Sequence, residues 1–346
     1  MKNLMYGLLE TDLQEILIRN EKVIRSFTEQ EITILGGTGF LGSWLAKSLI
    51  YANRELNCGI RLKIIARSVP TEKFAVEFRK EPNVTFCPRD IQSLNACDVE
   101  STDLCFFAAT SSDGRGSPIT WESSTISGFD NLLLLLSQES LKRTIFLPKL
   151  INLSSGAVYG QRKLSIDQPL VESYGHSFSE DLSEYGKAKA HSETSLNRHI
   201  SSGKIDGRNL RLFSFFGPGV ALDRHFAIGN FMLDAYLGRS VRMTGNPQTI
   251  RNYTYPTDGV SAILSAVIQN QYVDMNLGSR NTTSLLRLAE IISKQFSVKI
   301  ENHGSSALPS FYYPETLRFQ EVCGITNDVS LEQGLERWFA WLELIK

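Results

Sequence analysis

The chain has 346 residues, with 36 Lys and Arg against 37 Asp and Glu, a formal net charge of −1. A balance so even, with no basic block, excludes a protein that works through a broad electrostatic field, and with it a dedicated nucleic-acid binder. Hydrophobic residues make up 42% of the chain, too many for a disordered one. The five cysteines (Cys58, Cys87, Cys97, Cys105 and Cys323) are widely spaced and form no Cys-x-x-Cys pair. They point away from a disulfide framework or structural zinc and toward reduced thiols. Glu10, Asp12 and Glu15 stand where a signal peptide needs an apolar stretch. The apolar run Leu132–Leu136 falls far short of the ~20 residues a membrane span needs. A soluble, cytoplasmic protein with no membrane partner is expected.

Residues 1–30 read as an N-terminal helical extension. Thr11-Asp12-Leu13-Gln14 has a capping-box pattern, and the apolar spacing predicts a helix from Asp12 to Ser26. A strand follows at Ile32–Leu35, then glycines, then a helix through Ala52, then a strand at Leu62–Ala66. Short apolar runs recur at Val84–Phe86, Leu104–Ala108 and Ile151–Leu153, with a helix predicted at Ile126–Ser137. Strands alternating with helices imply βαβ units, hence an α/β protein with a Rossmann-type, doubly wound parallel sheet. Past residue 213 this punctuation stops. The expected division is a dinucleotide-binding domain over 31–213, with part of 240–275 returning to it. A smaller mixed α/β substrate lobe, mainly 214–346, would sit over the carboxyl end of the sheet.

Gly36-Gly37-Thr38-Gly39-Phe40-Leu41-Gly42 follows the first predicted strand and opens a helix. Glycines there let the backbone turn tightly and let a pyrophosphate approach the helix N-terminus. The second strand ends Ile64-Ile65-Ala66-Arg67-Ser68. It lacks the acid that usually meets the ribose of NAD, and Arg67 suits a 2′-phosphate, so NADP is favoured over NAD. The bland alternative is a solvated surface arginine.

Tyr185 and Lys189 are four apart on a predicted helix, thirty residues after Ser155. A lysine ammonium near a phenol favours the phenolate, and such a tyrosine can exchange a proton with a carbinol while hydride moves to nicotinamide. Tyr159 and Lys163 share the spacing, but Tyr159 lies in a glycine-flanked turn after a strand, so it is read as structural. The histidines His176, His191, His199, His225 and His303 show no metal-ligand spacing, and no metal is expected. His225 is read as packing or surface rather than as a substrate contact.

Taken in order, Gly36–Gly42, Asp90-Ile91, Ser154-Ser155-Gly156-Ala157-Val158-Tyr159-Gly160, Tyr185 with Lys189, Gly217-Pro218 and Arg251 resemble the extended short-chain dehydrogenase/reductase family, in its nucleotide-sugar epimerase/dehydratase branch. The resemblance runs from about residue 31 to the C-terminus. It implies Ser155, Tyr185 and Lys189 as the catalytic set and NAD(P)(H) as cofactor. It places Asp90 and Ile91 about the adenine, Ala108 and Ala109 along the cofactor, and Arg251 on the pyrophosphate of a nucleotide-diphosphate sugar. It implies a homodimer through the helix that carries Leu132–Leu136, and a structural Asn276-Leu277-Gly278 turn.

The departures are informative. Related 4,6-dehydratases carry an acidic pair after the catalytic serine or threonine, and related decarboxylases a glutamate, where this chain has Gly156 and Ala157. The family's Arg-Asp pair is Arg251-Asn252, and the asparagine before its Gly-Pro loop is Ser214. The expected activity is therefore NAD(P)H-dependent reduction of a 4-keto sugar nucleotide, with 4-epimerisation as the alternative. A dehydratase or decarboxylase would need a carboxylate from elsewhere, such as Glu184 or Asp181. A dinucleotide-binding sensor without chemistry is the non-enzyme alternative.

Overall fold

The computed structural model describes residues 4–5, 7–67, 81–110, 125–143, 146–160, 165–175, 181–222, 226–324 and 329–346. Ser68, Lys163, His176 and His225 lie outside the described residues.

A two-stranded antiparallel hairpin, β1 (Leu4–Met5) and β2 (Leu8–Leu9), turns at Gly7 with φ of 72°. It runs straight into helix α1 (Glu10–Arg25). The helix starts two residues earlier than its sequence signal. Thr11 and Gln14 fall inside its first turn, Leu9 is the N-cap, and no side chain caps it. The expected capping box is not formed because the hairpin already delivers the chain in helical register.

The next elements alternate: β3 (Glu31–Leu35), α2 (Phe40–Leu56), β4 (Arg61–Ala66), β5 (Val84–Pro88), β6 (Leu104–Phe107), α3 (Gly128–Ser140), β7 (Lys149–Ser155), α4 (Glu184–Ser201) and β8 (Asp206–Leu212). Further on come α5 (Ala227–Tyr236), β9 (Val241–Met243), β10 (Ile250–Asn252), α6 (Pro256–Ile268) and β11 (Asp274–Leu277). Among the described residues, one seven-stranded sheet has the order β11-β8-β7-β6-β3-β4-β5. The pairs β3–β4, β4–β5, β3–β6 and β6–β7 are parallel. β6 is buried along its whole length, as a strand covered on both faces must be. The chain winds outward from β3 to β5, then crosses back to β6 and onward. Strand order therefore reverses between β3 and β6, and in open α/β sheets ligands bind at the carboxyl ends beside such a switch point.

The chain forms two compact units. The first comprises Met1–Ser155, Glu184–Arg211 and Val260–Met275; the second Gly156–Ser183, Leu212–Gly259 and Asn276–Lys346. The linear reading had put residues 156–183 in the dinucleotide domain. Nothing in their composition marks the departure of the chain at Gly156.

In the first unit, Leu35, Ile65, Phe107, Phe129, Leu133 and Leu196 lie in one core cluster. Phe107 and Phe129 meet edge to face with ring centroids 4.7 Å apart. In the second unit, Phe216, Met232, Tyr255, Leu288, Leu335 and Trp338 share another core. It is built largely by α5, α7 (Leu285–Phe296) and the C-terminal helix α9 (Leu331–Leu344), with α8 (Leu317–Cys323) between them in the chain. Here the sheets are small: β9 with β13 (Ile300–Asn302), and β12 (Thr282–Ser284) with β10 and β14 (Phe311–Tyr312). Ser330 and Gln333 cap α9 reciprocally.

Within α3, Leu133 is fully buried whereas Leu134 is 54% exposed. Leu133→Ala is expected to cost about 2–5 kcal/mol of stability. Leu134→Ala should cost less than about 0.5 kcal/mol. Denaturant unfolding of the two variants checks the contrast.

Candidate active site

The glycine loop joins β3 to α2 at the switch point. Gly36 has φ of +78°, and a Cβ there would stand 2.6 Å from the Ala108 carbonyl oxygen and 2.7 Å from the Cα of Ala109. Ala108 and Ala109 therefore line the loop, as expected from their place after β6. The Ala108 amide also donates to the Leu35 carbonyl. Gly39 is the N-cap of α2, and a Cβ on Gly42 would come within 2.2 Å of the Gly36 oxygen. Half-buried Phe40 and Leu41 form the first turn. Close packing, a left-handed glycine and an open helix N-terminus form a cradle that fits a dinucleotide pyrophosphate.

The other expected cofactor residues are more dispersed. Arg67 is exposed immediately past β4. The Asp90 carboxylate accepts from the Gln92 amide at 3.0 Å and caps the turn Ile91–Ser93. Ile91 is buried in the core, where a side chain on Gly128 would strike it.

Ser155 ends β7, and α4 begins with Glu184, so Tyr185 stands in its first turn and Lys189 one turn on. A side-chain hydrogen bond joins Ser155 to Tyr185. Lys189 is buried and its Nζ donates to the Leu153 carbonyl at 2.6 Å. The same Nζ lies 5.9 Å from the centroid of the Tyr185 ring. The structure thus brings all three residues together.

Burial dominates the electrostatics of the set. Burial pushes the Tyr185 phenol above its ordinary value, and the bond with Ser155 opposes part of that rise. Burial brings Lys189 down to about 7, against the opposing charge of Glu193, and its nitrogen is committed to the Leu153 carbonyl.

Tyr159 is fully buried in a turn of 3-10 helix, and its hydroxyl donates to Asn276 Oδ1 at 2.6 Å. Asn276 in turn donates to the Leu170 carbonyl. Glu184 is exposed and bonded to Lys187; Asp181 is half-buried just before α4.

A family model described as "NAD dependent epimerase/dehydratase family" matches residues 32–278. The chain belongs to the NAD dependent epimerase/dehydratase family. This is a family of short-chain dehydrogenase-type enzymes. Among curated relatives, the chain is 26% identical over 331 residues to a UDP-N-acetyl-alpha-D-glucosaminuronate decarboxylase of Bacillus cytotoxicus, covering 90% of this chain and 98% of that protein. It is 23% identical over 313 residues to UDP-glucuronic acid decarboxylase 1 of Arabidopsis thaliana, covering 88% and 68% respectively. Among solved structures, a UDP-N-acetylglucosamine 4-epimerase of Methanobrevibacter ruminantium in complex with UDP-N-acetylmuramic acid superimposes with a TM-score of 0.77 at 19% identity, over 92% of this chain and 99% of that one. A UDP-glucuronic acid 4-epimerase of Bacillus cereus, in complex with UDP-glucuronic acid and NAD, gives 0.73 at 18% identity, over 92% and 100%.

Two positions in the second unit bear on how this member of the epimerase/dehydratase family differs. A Cβ on Gly156 would stand 2.7 Å from the Phe213 ring and 2.8 Å from the Tyr312 hydroxyl, so a side chain after Ser155 would have to push these rings aside. Arg251 is held on its own strand. Its Nη1 donates to the carbonyls of Ile250 and Ser310, its Nη2 to Ser310 Oγ, and the guanidinium lies 5.9 Å from the Tyr312 ring centroid.

Sequence reasoning passed over three residues around the first-unit set: Ser154, Glu193 and Arg211. The available signal was the continuation of the four-residue spacing from Tyr185 and Lys189 to Glu193.

Gly42→Ala is expected to weaken NAD binding more than about tenfold, a loss of ~1.4 kcal/mol. Gly39→Ala, whose Cβ would sit 3.2 Å from the Gly36 oxygen, should weaken it less; calorimetric titration compares them. A second outcome concerns pH. Folded Lys189 titrates near 7, below its ordinary 10.5, so between those values the unfolded chain holds a proton that the folded one has shed. Its penalty on folding is complete below about pH 7 and fades as pH rises toward 10.5. Lys189→Met should flatten that rise in stability, read from denaturation midpoints across the window.

Proposed function

We propose that the protein catalyses reversible oxidation and reduction at C4 of a nucleotide-diphosphate sugar, with a nicotinamide dinucleotide held at the Gly36–Gly42 cradle. The observation that carries this reading is the union of Ser155, Tyr185 and Lys189 at the end of β7, followed in the chain by Gly156 and Ala157 rather than by a carboxylate. When bound, the dinucleotide accepts or donates the hydride.

The chain's own residues handle the proton and the geometry. Tyr185 gives a proton to, or takes it from, the C4 oxygen. Ser155, already bonded to Tyr185, holds that oxygen in line with it. Lys189 supplies positive charge to this pair when protonated. Arg251 is the cation assigned to the substrate pyrophosphate, a role for which a guanidinium suits better than an ammonium.

Net reduction of a 4-keto sugar is the reading the departures favour. Gly156 and Ala157 supply no carboxylate after Ser155, so decarboxylation, the activity of the curated relatives, would draw one from elsewhere, such as Glu184 or Asp181. The second reading, 4-epimerisation, is supported by solved neighbours described as 4-epimerases. Those neighbours also bear on the cofactor. Several hold NAD, and none of these findings supports the NADP preference drawn from Arg67. The dinucleotide is therefore proposed as NAD(P)(H), with Arg67→Asp as the probe of the phosphate. A homodimer through α3 and a cytoplasmic location belong to the same proposal. Among the described residues no helix is long and apolar enough to cross a membrane.

The test is incubation with UDP-, dTDP-, CDP- and GDP-sugars and their 4-keto derivatives, with NADH or NADPH, followed by absorbance of the reduced nicotinamide and mass spectrometry. Net consumption of reduced cofactor marks the reductase. A C4 epimer without net consumption marks the epimerase, and release of carbon dioxide overturns the carboxylate argument. Tyr185→Phe is expected to lower turnover by about 10²–10⁴-fold; retained activity sinks the assignment.

A further inference from the structure

Three successive residues at the end of β7 are each tied to α4. The Leu153 carbonyl accepts from Lys189 Nζ at 2.6 Å. Ser154 Oγ donates to Glu193 Oε1 at 2.5 Å. The Ser155 and Tyr185 side chains bond to each other. Tyr185, Lys189 and Glu193 are spaced by four and share one face of the helix. Two of these ties join residues the reaction uses. The third joins two residues that no step of the reaction needs.

That third tie is also the most costly to build. Glu193 is wholly buried, and so is its partner Arg211, at 1% exposure. Arg211 Nε donates to Glu193 Oε1 at 3.0 Å and Nη2 to Oε2 at 2.8 Å. Asp274 of β11 stands 3.6 Å from the same guanidinium. Desolvating such a pair offsets much of its attraction, and an apolar pair of similar volume packs as well or better. What an apolar pair lacks is direction. The carboxylate has one oxygen for Ser154 and a fork for Arg211, and it meets both only at one rotation and one axial position of α4.

We infer that Glu193, clamped by Arg211, is a positioning residue for the reaction. It sets the register of α4 against β7 so that Tyr185 meets Ser155 and Lys189 reaches the Leu153 carbonyl. This rests on the reading of Ser155, Tyr185 and Lys189 as the reacting set. The carboxylate has a second effect, because its charge opposes the loss of the Lys189 proton. The charged or titratable groups about that lysine are Tyr185 and Glu193 on α4 and, through Glu193, Arg211 on β8 and Asp274 on β11.

Two variants test the inference in the full chain. Ser154→Ala removes one tie and leaves every charge in place; Glu193→Gln keeps the shape and removes the carboxylate charge. Each is measured for kcat and KM separately, for NAD affinity by calorimetry, and for the Lys189 midpoint by side-chain NMR, assigned from Lys189→Met. Both variants are expected to lower kcat several-fold or more, with KM and NAD affinity within about twofold of wild type. Glu193→Gln should also move the Lys189 midpoint to lower pH. A folded variant with wild-type kcat and an unmoved midpoint overturns the inference. If Glu193→Gln does not fold, Ser154→Ala decides, and unchanged kcat there overturns it. If wild type itself turns over no sugar of the panel, the reading of function has failed and the inference falls with it, whereas an active wild type with unaffected variants overturns the inference alone.

Discussion

The burial of charge at the end of β7 is the constraint on which the rest of the first unit turns. The amine of Lys189 and the carboxylate of Glu193 sit where water does not reach, and a buried polar group without a partner is expensive. Each is therefore bonded, and the bonds run from α4 to the backbone or side chains of β7. Helix and strand cannot slide past each other without breaking them. Placement of the Tyr185 phenol beside Ser155 follows from that constraint rather than from any preference of tyrosine for its position.

The same end of the sheet carries the second requirement of the chemistry. Where strand order reverses, between β3 and β6, the glycine turn packs its backbone directly against Ala108 and Ala109. Backbone, not side chains, makes this surface. Gly36 and Gly42 approach so closely that a methyl on either collides with main-chain atoms. The two halves of the candidate site thus rest on opposite devices: bare backbone for the phosphate end and buried hydrogen-bonded charge for the reacting end.

The second unit departs from this economy. Phe213 and Tyr312 stack with ring centroids 4.7 Å apart against Gly156, and Asn276 ties Tyr159 to the Leu170 carbonyl. A side chain at Gly156 would have to displace the outer edges of both rings.

Much was legible in the amino-acid order alone. Strand and helix alternation, the glycine string and the four-residue spacing of Tyr185 and Lys189 depend on local chemistry, and local chemistry is written in neighbouring residues. The sheet, the family and the meeting of Ser155 with Tyr185 followed from those signals. Other features waited for the tertiary structure. Thr11 looked like a cap until the preceding hairpin showed the helix already started. Lys189 gave no sign in the sequence that it is buried and bonded to the Leu153 carbonyl. Arg211 and Glu193 looked like ordinary charged residues in a strand and a helix. Burial, desolvation and the pairing of residues far apart in the chain are properties of packing, and no short stretch of sequence contains them. The near-zero net charge of 36 against 37 marks the same boundary. It excluded a field-driven binder, but only the fold decided which few charges are buried and what each one holds.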